Sequence, residues 1–175
     1  MSLLEQQNFL ARIFTDENLR RSFWENPETV GKEYGLNDIE INQIKSIVPE
    51  DLNFFADSLF HKRLHEVEKL LPLTKRSLDK DFAKLFRDFS QTFQPITVKK
   101  HLEDAIEFCK YLQFNKIEPQ SVQDTAKFEQ TKHEFFGLGK SFKFCFIRHN
   151  IFSLQKKFGL AVWYRFGNQT RHFIL

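Results

Sequence analysis

Three arginines and three ring-bearing side chains crowd the end of this chain: Arg148, Arg165 and Arg171 with Trp163, Tyr164 and His172. A guanidinium presents a planar fork of donors that pairs bidentately with carboxylate or phosphate and also stacks on aromatic rings. Such a set suits contacts to an acidic peptide or to a partner protein. It also suits phosphate tracking with base stacking, the chemistry of nucleic-acid binding. A plain structural reading stands beside both: the aromatics pack inward while the basic residues keep a sheet edge soluble. These six residues are the candidate partner- or peptide-binding set.

Other reactive types are less informative. His61 and His65 lie one helical turn apart, with Glu68 further along the same side, a spacing that can hold a metal. No H-E-x-x-H pattern accompanies them, so the cluster reads as a solvated helix face with i,i+4 charge contacts. Neither Cys109 nor Cys145 has a metal-site spacing or a nearby histidine that hints at an activated thiolate, so both read as reduced, with Cys109 buried and inert. The chain has no G-x-S-x-G, no phosphate-binding glycine loop and no dinucleotide fingerprint. Its acidic residues are spread as helix-surface charges. Nothing here argues for an enzyme acting alone, and no catalytic residue, cofactor or metal is expected.

Charge separates the chain into two parts. The net charge is +3, yet no acidic side chain follows Glu134, so residues 135–175 carry +7 and residues 1–134 carry −4. An acidic body would repel a polyanion, which places nucleic acid below peptide or protein as a partner. No run approaches the ~18 apolar residues of a membrane span. The opening MSLLEQQNFL lacks the basic start, apolar run and cleavage site of a secretory signal, and with reduced cysteines this gives a cytoplasmic expectation. The 22 phenylalanines imply an aromatic-rich core with some rings left at the surface.

The elements that must carry these residues follow from periodicity. Leu52, Phe55, Ala56, Leu59, Phe60, Leu64, Val67, Leu70 and Leu71 fall on one face of a helix that Pro49 starts and Pro72 stops. It is the stretch around which the chain looks organised. Four short helices precede it, opened by Ser2 with Glu5, by Thr15 or Asp16, by Asn26-Pro27 and by Asn37 with Glu40; Gly35 ends the third. After it come a short helix through Leu78, a phenylalanine-rich helix to Phe93, a helix capped by Thr97, and a polar helix from about Ser121 to Phe136. From Ser141 the period changes to two, and three strands follow. Gly167-Asn168 suits a type II′ hairpin turn that sets Tyr164 opposite Arg171, Trp163 opposite His172 and Val162 opposite Phe173. Residues 151–154 fit a loop or a further short strand. The expectation is a mainly α protein, with a multi-helix domain at 1–136 and a basic antiparallel β module at 137–175.

Two stretches carry a family resemblance. Phe9 to Ile47, FLARIFTDENLRRSFWENPETVGKEYGLNDIEINQIKSI, resembles the small helical α-subunit of protocatechuate-type extradiol dioxygenases and the leader segments of some ribosomally made peptides. In that dioxygenase family the metal site belongs to the other subunit, so no catalytic residue carries over. The second stretch runs from Phe54 to Phe89, with F-A-D-S-L, K-R-L-H-E-V, L-L-P-L-T and D-F-x-x-L-F-R-D-F. It is similar to the helical partner proteins of multinuclear non-heme iron oxidases, which modify ribosomally synthesised peptides. That resemblance implies a non-catalytic adaptor, a helical domain followed by a smaller module that helps recruit the precursor peptide, and an iron-dependent oxidase as partner. The alternatives are an accessory subunit of a ring-cleaving dioxygenase and a nucleic-acid-binding protein.

Overall fold

The computed structural model describes residues 3–149, 151, 156–167 and 169–175. Among them are nine helices followed by a three-stranded antiparallel sheet of order β1-β2-β3, the mainly α architecture that the periodicities imply. The chain divides into two compact units, residues 1–63 and 64–175.

In the first unit, α1 (Leu3–Thr15), α2 (Glu17–Glu25), α3 (Pro27–Glu33) and α4 (Asp38–Lys45) precede α5 (Pro49–Leu70), which runs on into the second. The caps are local chemistry. Asp16, rather than Thr15, accepts the Leu19 N–H at 2.9 Å and so satisfies one of the unpaired donors that open α2. Asn37 and Glu40 form a reciprocal capping box at α4, with hydrogen bonds of 2.9 and 2.8 Å. Gly35, at φ 76°, makes the left-handed turn after α3. Phe9, Ile13, Phe23, Ile41, Ile44 and Leu52 fill the core, with the Phe9 and Phe23 rings edge to face at 5.3 Å. The expected cap at Ser2 lies outside the described residues.

The long helix α5 is confirmed at both ends, but its stripe is not one continuous buried seam. Leu52 and Ala56 are buried near its start and Leu64 and Val67 near its end, whereas Phe55 and Leu59 remain exposed. Phe55 still meets the Phe14 ring, with centroids 4.8 Å apart.

The second unit holds α6 (Pro72–Leu78), α7 (Asp81–Thr92), α8 (Lys100–Phe114), α9 (Gln120–Gly137), β1 (Phe142–His149), β2 (Lys156–Phe166) and β3 (Gln169–Ile174). Phe108 of α8 sits among Phe82, Phe86 and Phe89 of α7, with centroids 5.3 to 5.4 Å apart. Four of the 22 phenylalanines meet here. Thr97 does not cap α8: the N-cap is Lys99, and the Ile96 and Thr97 N–H groups donate instead to the Glu103 carboxylate.

The helix expected to be polar, α9, packs on α6, α8 and β1. It buries Val122, Ala126, Phe128 and Phe135, and it buries polar groups with them. Glu129 accepts the Leu73 and Thr74 N–H groups at 2.9 and 2.8 Å, supplying the N-terminus of α6 with the acceptors that Pro72 and Leu71 cannot provide. Because α9 ties the sheet to the helices around it, the sheet belongs to the same compact unit as α6–α9, and the division falls at 63/64 instead of at 136/137.

Candidate functional site: a three-stranded sheet with an aromatic outer face

The strand register is the expected one. Tyr164 pairs with Arg171, Trp163 with His172 and Val162 with Phe173; on the other side Phe142, Phe144 and Phe146 pair with Tyr164, Val162 and Leu160. Asn168 lies outside the described residues, so the turn type is not defined. Of residues 151–154, where a further strand was an option, Ile151 lies in a turn and the other three lie outside the described residues.

Alternation along each strand sends neighbours to opposite faces. One face packs on α9. Cys145, Ile147, Ala161 and Trp163 are buried there with Phe128 and Phe135 of the helix. Lys143 donates to Glu134 from the same face, and the Arg165 guanidinium lies over the Phe135 ring at 5.6 Å. At Glu134, burial acts to raise the carboxyl pKa, but the hydrogen bonds from Lys143 and Gln130 outweigh it and hold the group below its ordinary value. At the end of β1, Asp124 of α9 accepts the Arg148 N–H at 2.9 Å and lies 2.8 Å from His149 Nδ1.

The other face is open. Phe142, Phe144 and Phe146 line up along β1, with ring centroids 5.9 and 5.8 Å apart. Tyr164 and Phe173 stack across β2 and β3 at 5.8 Å. Phe142, Phe144, Phe146, Phe166 and Phe173 are 58, 51, 62, 83 and 47% exposed. With about 200 Å² for a whole phenylalanine, they show roughly 600 Å² of aromatic surface, at the upper end of apolar patches on soluble monomers. Arg171 stands on the same face beside Tyr164 and Phe173, and no acidic side chain occurs anywhere on the three strands. β3 is exposed along its whole length and, among the described residues, pairs on one side only.

The six candidate residues are therefore divided. Tyr164 and Arg171 lie on the open face, with the exposed Arg148 at its margin beyond Phe146. Trp163 is 2% exposed and packs on Phe128, so it is a core residue that cannot touch a partner without unfolding. Arg165 and His172 are exposed but point to the α9 side. Because 163, 164 and 165 are consecutive, they cannot all serve one surface. Phe142, Phe144 and Phe146 are the functional candidates that residue-type reasoning missed. Their period-two pattern was visible, but Lys143, Cys145 and Ile147 gave no decisive sign of which set faced inward.

No protein-family model matches the chain, and no curated protein matches it.

Elsewhere, no group of three or more His, Cys, Asp or Glu side chains among the described residues is placed to hold a metal ion; His65 Nδ1 lies 4.0 Å from Glu68. Both cysteines are free and buried, and burial pushes both thiols above their ordinary range. No helix among the described residues is long and apolar enough to cross a membrane.

Proposed function

We propose that this chain is a non-catalytic adaptor that recruits a precursor peptide to a multinuclear non-heme iron oxidase in ribosomal peptide modification. The open face of the sheet is its docking surface. The observation that carries the binding role is the pairing of exposed aromatic rings with Arg171 on strands that carry no acidic side chain. Charge complementarity selects an acidic, partly apolar partner over a second copy of the same face, which would bring arginine against arginine. The free edge of β3 offers backbone donors and acceptors to an extended segment, and the alternating rings beside it offer side-chain contacts. The oxidase enters through the resemblance of Phe54 to Phe89.

A nucleic-acid partner is less well supported. Of the basic residues on the strands, Lys143 is paired to Glu134 and Arg165 covers Phe135, both on the α9 side, so the open face presents less positive charge than the composition implies. The dioxygenase-subunit reading draws on the resemblance of Phe9 to Ile47, a stretch that folds as the end of α1 followed by α2, α3 and α4.

Affinity capture with the tagged chain from its own cells separates these readings. Co-purification of an iron oxidase with a short peptide supports the adaptor role. Recovery of a ring-cleaving dioxygenase catalytic subunit transfers it to the second reading. Nucleic acid that is released steeply by salt overturns it.

A further inference from the structure

Beside the sheet, a cleft of about 440 Å³ opens between the α8–α9 connection, the first turns of α9 and β1. That volume is in the range of small-ligand sites. Lys116, Lys127 and Arg148 all line it, and among the described residues none of their side chains makes a hydrogen bond or an ion pair. Lys45, Lys69, Lys75, Lys110 and Lys143, by contrast, each pair with a glutamate. With two carboxylates, Glu118 and Asp124, in the same lining, the opening keeps a net positive charge that favours an anion.

Among the described residues neither carboxylate of the lining forms a salt bridge with these cations. Asp124 is buried and already engaged by the Arg148 N–H and the His149 ring, and Glu118 is exposed and makes no ion pair among the described residues. The wall is not wholly polar. Phe146, 62% exposed, carries the aromatic face of the sheet into the cleft.

We propose that this cleft is a binding site for an aromatic or aliphatic carboxylate, its anionic end among Lys116, Lys127 and Arg148 and its apolar end on Phe146. The ligand is either a free organic acid or an acidic residue of a peptide lying on the open face; the recognition chemistry is the same. Lys116 and Lys127 lie off the sheet, so the site is testable without any partner.

The test is an amide NMR titration of the full chain with 3-phenylpropionate, and with 3-phenylpropionamide as the uncharged control. Saturable shifts at Gln120, Lys127 and Arg148 with the acid, absent with the amide, are expected. The variant Lys116→Gln/Lys127→Gln, which keeps most of each stem, should bind the acid at least ~tenfold more weakly, since it removes two charge-assisted contacts. Equal shifts with acid and amide, non-saturating shifts spread over surface lysines, or unchanged affinity in the variant overturn the proposal. Repeating the titration with acetyl-Phe-Glu amide assigns the source: tighter binding than the free acid points to a docked peptide, weaker binding to a small molecule. A cleft that binds the acid while capture from cells recovers no oxidase leaves this site standing and the adaptor reading refuted.

Discussion

Trp163 packs its indole against the Phe128 ring at 5.1 Å, and this contact joins the middle strand of the sheet to the helix beneath it. Its neighbour Tyr164 faces the other way. Trp163→Ala should therefore cost about 3–5 kcal/mol, as for a large buried aromatic. Tyr164→Ala, on the half-exposed face, should cost below about 1 kcal/mol. Urea denaturation of the two variants checks this, and equal losses would refute the assignment of faces.

Glu129 is a buried acid with a structural task. Burial raises its carboxyl pKa, opposed by the backbone amides of Leu73 and Thr74. Glu129→Ala leaves both amides without an acceptor and should cost about 1–3 kcal/mol, while Glu129→Gln keeps one acceptor oxygen and should cost less. Thermal melts of the pair give the ranking; a neutral Glu129→Ala would show that the cap contributes nothing.

His133 gives a pH signature. Burial lowers its pKa, against the pull of the Leu70 carbonyl, which lies 2.7 Å from Nε2. The unfolded chain then binds a proton more readily than the folded one between the ordinary histidine value and the lower folded value. Stability should fall as pH drops below about 6.5 and be fully present above it. His133→Gln should flatten that part of the melting-temperature profile. Parallel profiles for the two proteins would contradict the account.

The thiols give a kinetic check. Cys109 and Cys145 are 0 and 2% exposed, and both are held protonated by burial. A thiol-specific reagent should label neither in the folded protein at neutral pH and both in denaturant. Fast labelling without denaturant would mean that the α9–sheet packing opens readily if at Cys145, or the packing around α8 if at Cys109.

These tests rest on features that were unevenly legible in the sequence. Helix ends were readable because caps are local: Asn37 with Glu40, Pro49 and Gly35 each act within a turn of themselves. The hairpin register was readable because Gly167 fixes where the chain reverses. The burial of α9 was not, since Thr125, Glu129 and Thr131 look polar until their partners on α6, α8 and the sheet are known. Trp163 was misplaced for a related reason. Its chemistry suits a binding surface, but only the three-dimensional position of Phe128 decides which face of β2 is covered.

The central claim is that the open aromatic face is the docking surface. The most direct test is calorimetric titration of the partner captured by the wild type, comparing wild type with Phe144→Ser/Arg171→Ala. Both residues are exposed, so the variant should keep the wild-type melting temperature to within the small change of surface substitutions. The account predicts that it binds at least ~30-fold more weakly, the loss expected when contacts at the centre of an interface are removed. Unchanged affinity in a folded variant would contradict it and move the docking surface off the sheet.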